Sequence, residues 1–129
     1  MIEIYCDGAS KGNPGPASIG VSILKEKLEI ATLSEKIGIT TNNVAEWTSL
    51  IKALEHLKIS STNEEISIYM DSELVVKQFL GEYKTKHPSL IPLKEKVFEL
   101  KKSFKSIKIQ HVRRELNKRA DELANAALI

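Results

Sequence analysis

Four acidic residues stand where the sequence predicts that a strand ends or a helix begins. Asp7 and Asp71 each follow a short alternating pattern, and Glu46 and Asp121 each fall in the first turn of an amphipathic pattern. Each residue alone has an ordinary structural explanation, as a turn residue, a helix cap or a partner of the helix dipole. Together they indicate a site, because a single α/β topology can bring all four carboxylates to one place.

Such a cluster of carboxylates predicts a metal site. The four groups repel one another, burial raises the cost of that repulsion, and a divalent cation offsets it. The donor atoms are all oxygen, with no cluster of His or Cys beside them, which favours Mg²⁺ or Mn²⁺ over Zn²⁺. Because Mg²⁺ commonly binds substrate phosphates, the chemistry indicated is phosphoryl transfer or phosphodiester cleavage.

The stretch around Asp7 leads from a predicted strand, residues 2–6, into a predicted loop. Residues 7–16 hold three of the six glycines and two of the four prolines of the chain. We expect the strand to end at Asp7, because glycine favours turns with positive φ and proline lacks an N–H donor. A simple Asp-Gly hairpin turn is the alternative interpretation.

The remaining patterns predict the element order β-β-β-α-β-α-α-β-α. Strands are expected at residues 2–6, 17–24, 29–37, 65–70 and 107–111, and helices at about 43–58, 72–80, 89–103 and after a cap at Asn117. Residues 60–63 are expected to end the first helix. This order predicts an α/β fold, in which an antiparallel meander and right-handed crossovers form a mixed five-stranded sheet with helices on both faces. If the first and fourth strands are parallel neighbours, Asp7 and Asp71 meet at the carboxyl edge of the sheet.

The composition is that of one globular domain, residues 1–129, with 42% hydrophobic and 28% charged residues. No stretch approaches the roughly 18 apolar residues of a membrane span, and the N-terminus lacks the pattern of a secretory signal. The single cysteine, Cys6, alternates with Ile2 and Ile4 and is expected to be a buried thiol rather than a nucleophile. We expect a monomer in the reducing cytoplasm.

The net charge of +2 hides an uneven distribution. Residues 84–119 hold twelve Lys/Arg and three Glu, a net charge of +9, whereas the rest holds seven Lys/Arg and fourteen Asp/Glu, a net charge of −7. This asymmetry predicts a surface for a polyanion, the alternative being a solvated helix face. The candidate contacts are Lys84 and Lys86 in a short linker and Arg113 and Arg114 before the last helix.

Four motifs, in order along almost the whole chain, resemble the ribonuclease HI family. They are DGAS with GNPG in residues 7–15, TNNVAE in residues 41–46, YMDS in residues 69–72 and NKRADELA in residues 117–124. The resemblance implies the ribonuclease H fold and endonucleolytic cleavage of the RNA strand of RNA/DNA hybrids.

The resemblance also implies a two-metal mechanism with two Mg²⁺ ions, or Mn²⁺ as a substitute, and products that carry a 5′ phosphate and a 3′ hydroxyl. The implied metal ligands are Asp7, Glu46, Asp71 and Asp121, with Asp7 as the bridge between the ions. The implied contacts to the minor groove of the hybrid are the side chains of Asn13, Asn42 and Asn43 and the backbone of Gly8, Ala9 and Ser10. Thr41 would touch a phosphate of the DNA strand.

Three departures from the family pattern affect the implied substrate contacts. Glu73 replaces a Gln that helps to grip the RNA in many members. The loop before the last helix is short, which makes His111 a structural residue at a strand end and Arg114 the candidate phosphate contact. The basic protrusion of some members is reduced here to residues 83–88.

Three other functions are open to the sequence. A DNA nuclease or strand-transfer enzyme of the same superfamily is disfavoured by Asn13, Asn42 and Asn43, which suit ribose recognition. A non-catalytic hybrid-binding module is disfavoured by the intact acidic quartet. A purely structural α/β domain explains neither the carboxylates nor the division of charge.

Overall fold

The computed structural model describes residues 1–59 and 63–129. The strands are β1 (Ile2–Ser10), β2 (Gly15–Lys25), β3 (Leu28–Thr40), β4 (Ile66–Met70) and β5 (Ile107–His111). The helices are α1 (Asn42–Ile59), α2 (Glu73–Phe79), α3 (Ile91–Lys101) and α4 (Lys118–Ala127), with a short 3₁₀ helix, Arg114–Leu116, before α4. The predicted order of elements is confirmed. The predicted end of the first helix at residues 60–63 lies outside the described residues, except for Asn63.

The strands form one mixed five-stranded sheet in the order β3-β2-β1-β4-β5. β1 pairs antiparallel with β2, and β2 with β3, whereas the β1–β4 and β4–β5 pairs are parallel. Helices α1 and α4 pack on opposite faces of this sheet, as the sequence predicts. Among the described residues, no helix has the length and apolar character needed to cross a membrane.

β1 is longer than predicted, and the prediction that the chain leaves the strand at Asp7 is wrong. Residues 7–10 stay paired with β2 as far as Ser10 opposite Ala17, and the turn follows at residues 11–14. Because β2 continues alongside, its backbone forms hydrogen bonds with this glycine-containing stretch, and the chain stays extended. The parallel pairing with β4 stops earlier, at Cys6 opposite Met70. Asp7 therefore stands one residue beyond the last β1–β4 pair.

The core lies between the sheet and the face of α1 that carries Trp47, Leu50 and Leu54, all of which are fully buried. Cys6 is buried in the same cluster, which confirms the predicted core thiol. Burial raises the pKa of this thiol above its ordinary value, so it is not a nucleophile.

Candidate active site

Asp7 and Asp71 come from neighbouring strands and from the same face of the sheet. Two residues before them, the rings of Tyr5 and Tyr69 stack with their centroids 4.9 Å apart. Since side chains two residues apart in a strand point to the same side, this stacked pair locates the two carboxylates together, one residue beyond the last β1–β4 pair. Carboxylate oxygens of Asp7, Glu46 and Asp71 lie within 4.8 Å of one another. The predicted meeting of Asp7 and Asp71 is thus confirmed.

Glu46 reaches the two aspartates because α1 lies unusually close to β1 at Gly8. A Cβ atom at Gly8 would lie 2.2 Å from the backbone carbon of Ala45, so only glycine permits this approach. The backbone N–H of Gly8 donates a 2.5 Å hydrogen bond to Oε1 of Glu46. Glu46 is buried and is the fifth residue of α1, not part of its first turn. The position of Glu46 is therefore explained by its hydrogen bond with Gly8 and not by an interaction with the helix dipole.

Asp121 reaches the site through a second close contact, on the other face of the sheet. A Cβ atom at Gly20 would lie 2.2 Å from the carbonyl oxygen of Ala120 and 2.4 Å from the backbone nitrogen of Ala124. Gly20 is paired with Asp7 across β1 and β2, so this contact sets the first turn of α4 beside Asp7. Asp121 lines a 330 Å³ cleft together with Asp7, Glu46 and Asp71, although it lies outside their 4.8 Å group.

Asp71 does not cap α2, although its position just before that helix suggests a cap. Ser72 is the N-cap of α2, and its side chain accepts a hydrogen bond from the N–H of Val75. The side-chain amide of Asn117 instead donates to Oδ1 of Asp71 at 2.8 Å and to the carbonyl oxygen of Cys6 at 2.9 Å. Asn117 does occupy the N-cap position of α4, but its side chain makes no capping bond. Its buried Nδ2 holds Asp71 to β1, and in this orientation its Oδ1, the atom that would cap the helix, has no partner among the described residues.

The clustered carboxylates are electrostatically strained without a cation. Burial, followed by the charge of Asp71, raises the pKa of Asp7 from an ordinary 3.8 to about 7. Burial and then the charge of Asp7 also raise the pKa of Glu46. A divalent cation would offset both effects, and three carboxylates in mutual reach are the ligands that Mg²⁺ and Mn²⁺ prefer. The residues therefore fit such an ion.

The predicted substrate residues divide between this cleft and a second cavity of 420 Å³. The carboxylate cleft contains Gly8, Ala9, Ser10, Asn42 and Arg114. The second cavity contains Asn13, Thr41, Asn43, Lys84 and Lys86. The start of α1 separates the two cavities, since neighbouring residues of that turn line one or the other.

Two of these predicted contacts also hold the start of α1 in place. Oδ1 of Asn13 accepts a 3.0 Å hydrogen bond from the N–H of Asn42, and Oγ1 of Thr41 accepts one of 3.3 Å from the N–H of Val44. Thr41 is therefore the capping residue, which leaves the Asn42 side chain for other contacts. The amide group of Asn13 and the hydroxyl proton of Thr41 are still donors in these positions.

Comparison with known proteins agrees with this geometry. The model of the reverse transcriptase-like family matches residues 5–127. The solved structure of LC11-RNase H1 in complex with an RNA/DNA hybrid superimposes with a TM-score of 0.94 at 45% sequence identity, over 98% of this chain and 96% of that chain. Ribonuclease HI of Halobacterium salinarum is 41% identical over 128 residues, which is 98% of this chain. The chain belongs to the ribonuclease HI family.

Some ribonuclease HI relatives are much longer than this chain. The chain spans 64% of the length of the Halobacterium protein. It spans 35% of the length of a bifunctional protein of Mycobacterium tuberculosis, with 40% identity over 130 residues. The likeness therefore covers about a third to two thirds of the length of these two relatives.

Three polar residues of this ribonuclease HI site were not assigned to it from the sequence. Asn117 was noted only as a helix cap. Asn125 lines the carboxylate cleft one helical turn after Asp121, a spacing that could have revealed it. Gln78 lines the second cavity and gave no sequence signal beyond a polar position in a short helix.

Two residues that depart from the family pattern lie elsewhere. Glu73 is exposed and forms an ion pair of 3.6 Å with Lys77. His111 is the last residue of β5, as expected from the short loop that follows it. Neither residue lines the carboxylate cleft or the second cavity in the described part of the chain.

Proposed function

We propose that the protein is a metal-dependent endonuclease that cleaves the RNA strand of RNA/DNA hybrids, giving 5′-phosphate and 3′-hydroxyl products. The observation that carries this proposal is the mutual approach of the Asp7, Glu46 and Asp71 carboxylates in a cleft shared with Asp121. Membership of the ribonuclease HI family supports the reaction class, and the hybrid bound to LC11-RNase H1 supports the substrate class. In this proposal residues 1–129 are one catalytic domain that acts as a monomer.

The four carboxylates would hold two Mg²⁺ ions, or Mn²⁺ in their place. Such ions, when bound, activate a water for in-line attack and stabilise the leaving 3′ oxygen. Asp7 would be the ligand shared by both ions, because its carboxylate lies within 4.8 Å of those of Glu46 and Asp71 and lines the cleft with Asp121. Asn117 holds Asp71 in one orientation, and the N–H of Gly8 does the same for Glu46.

The polar residues around the two cavities would select and hold the substrate. A 2′-hydroxyl is both donor and acceptor, which a side-chain amide such as that of Asn42 in the carboxylate cleft can match. We propose that the RNA strand lies over the carboxylate cleft, where Arg114 contacts a phosphate. The DNA strand would then cross the second cavity, where Lys84 and Lys86 supply positive charge.

One cleavage assay separates this proposal from its alternatives. End-labelled RNA/DNA hybrid, single-stranded RNA, double-stranded RNA and duplex DNA are each incubated with Mg²⁺, Mn²⁺ or chelator, with Asp7→Asn as the inactive control. We expect internal cuts in the RNA of the hybrid, only with a divalent ion and only with the wild-type protein. Binding without cleavage would instead identify a hybrid-binding module, and cleavage of duplex DNA would identify a different nuclease of the superfamily.

A further inference from the structure

Gln78 is a buried polar residue that joins the active-site helix to the basic linker. It is 4% exposed and lies in α2, beneath the second cavity. Its Oε1 accepts a 3.1 Å hydrogen bond from the indole N–H of Trp47, which is fully buried and directly follows Glu46 in α1. Its Nε2 donates to the carbonyl oxygen of Lys84 at 3.5 Å. The two ends of one amide thus contact α1 and the linker.

The linker has few other attachments at this point. The preceding residues are held by the end of α2, where the N–H groups of Glu82 and Tyr83 donate to the carbonyl oxygen of Lys77 at 2.9 Å and 3.2 Å. Within the described chain, the bond from Gln78 to the carbonyl oxygen of Lys84 is the one hydrogen bond in which residues 84–86 take part. The buried Oγ1 of Thr85 has no partner there. On the other side of the two lysines, the carbonyl oxygen of His87 accepts hydrogen bonds from the N–H groups of Leu90 and Ile91. Between these two local anchors, the bond from Gln78 attaches the backbone that carries the lysines to the core.

We infer that Gln78 is a positioning residue for binding of the DNA strand, and that it sets where Lys84 and Lys86 stand relative to the carboxylate cleft. The inference rests on the proposed function, in which both lysines contact the hybrid. Trp47 fixes the amide of Gln78 from the side of α1, and Gln78 in turn fixes the backbone of Lys84. A glutamine that only satisfied the indole of Trp47 would need no bond to the linker.

A pair of variants isolates the outer hydrogen bond of this amide. Trp47→Phe removes the indole donor but keeps the bond between Gln78 and Lys84. Trp47→Phe/Gln78→Met also removes that bond, without leaving a buried indole N–H unpaired. Each of these two variants is made in the wild-type protein and in the Lys84→Ala/Lys86→Ala protein, and the two backgrounds are compared. The dissociation constant for an RNA/DNA hybrid is measured in chelator over a range of salt concentrations, beside kcat with Mg²⁺ and urea unfolding.

Adding Gln78→Met to Trp47→Phe should weaken hybrid binding by about fivefold and lower the slope of log Kd against log salt by about one. We expect kcat at saturating substrate to stay within about twofold, because the carboxylates are untouched. In the Lys84→Ala/Lys86→Ala background, Gln78→Met should change neither binding nor slope, because the residues that it positions are gone. If Gln78 were purely structural, its replacement by Met would lower the unfolding free energy and leave Kd and the salt slope unchanged.

Three results would overturn the inference: an unchanged Kd, an equal loss of binding in the lysine-free background, or a fall in kcat without a change in Kd.

If the double variant does not fold, Gln78→Glu serves instead. It keeps an acceptor for Trp47 and loses the donor to Lys84, and direct repulsion between its added charge and the hybrid would persist in the lysine-free background. A wild-type protein that neither binds nor cuts the hybrid would refute the proposed function itself, whereas a wild-type protein that does both leaves only the role of Gln78 in question.

Discussion

At the scale of single residues, Asp7 is the carboxylate on which the site depends most. It lies within reach of Glu46 and Asp71 and shares the cleft with Asp121. Asp7→Asn keeps the shape of the side chain but removes a charge from the centre of the cluster. We expect cleavage of the hybrid to fall by about a thousandfold or more while the protein stays folded, as measured by initial rates and circular dichroism.

Two variants serve as comparisons for this loss of activity. Asp121→Asn should reduce the rate less than Asp7→Asn, because Asp121 lies outside the 4.8 Å group. Glu99→Gln should leave the rate within about twofold, since Glu99 is exposed and pairs with Lys102 at the end of α3, away from the cleft. Rapid cleavage by a well-folded Asp7→Asn protein would disprove the assignment of Asp7 as a metal ligand.

The raised pKa of Asp7 predicts a pH dependence of stability in the metal-free protein. The folded-state value of about 7 lies above the ordinary 3.8, so the contribution of this group is fully present below about pH 4 and is lost as the pH rises through 7. In chelator, the unfolding free energy of the wild type should fall between pH 5 and 8 by up to about 3 kcal/mol relative to Asp7→Asn. Urea titrations of both proteins measure this difference.

Added Mg²⁺ gives the complementary test of the same group. At pH 8 the ion should raise the unfolding free energy of the wild type and have little effect on Asp7→Asn, because ligand binding stabilises only the folded protein that can bind it. Parallel pH curves for the two proteins in chelator would show that Asp7 is not electrostatically strained.

At the scale of elements, two helices approach the sheet at glycines, one on each face, and each approach delivers an acidic residue. Gly8 admits α1 with Glu46, and Gly20 admits α4 with Asp121. Gly20→Ala should push α4 away and destabilise the protein by about 1–3 kcal/mol. We expect cleavage to fall by about tenfold to a hundredfold as well, because Asp121 moves although it is chemically unchanged.

Thermal unfolding and initial cleavage rates of Gly20→Ala check both effects. Thr32→Val, an exposed change in β3 of the same sheet, is the control and should leave both measurements close to the wild type. A stable and fully active Gly20→Ala protein would show that the close packing of α4 does not determine the position of Asp121.

At the scale of the whole molecule, we propose that the acidic cleft cleaves the hybrid and that the basic linker contributes to binding it. Carboxylates alone would repel a nucleic acid, so the affinity must come from positive charge elsewhere. Replacing Lys84 and Lys86 by Ala should weaken hybrid binding and lower its salt slope by about two, one phosphate contact for each lysine. We expect kcat at saturating substrate to change little.

Lysines of α3 provide the matched control for this charge effect. Lys94 lies over the ring of Phe98 at 5.5 Å and Lys101 lies over the ring of Phe79 at 5.3 Å, so both are already engaged with aromatic rings of the protein. Replacing Lys94 and Lys101 by Ala should change the salt slope much less than replacing the linker lysines. Equal effects of the two pairs in fluorescence titrations would indicate a diffuse basic surface rather than a defined contact at the second cavity.

The sequence by itself determined the order of elements, the mixed sheet, the buried Cys6 and the four acidic residues. These features follow from local patterns, because alternation and helical spacing report which side of a strand or helix is buried. It also predicts eleven substrate residues, and the structure gathers ten of them at two cavities, whereas Arg113 lines neither of these two cavities. Their contacts with a hybrid stay predictions.

Only the tertiary structure decided how those residues are held. The bond between Gly8 and Glu46 joins residues 38 apart in the chain, and the bond between Asn117 and Cys6 joins residues 111 apart. No local pattern reports such pairs, so the sequence predicts Asn117 only as a helix cap and gives no signal for the role of Gln78. The length of β1 has a different cause. Whether a strand continues past a glycine depends on the strand beside it, and β2, which follows after a short turn, pairs with β1 as far as Ser10 opposite Ala17.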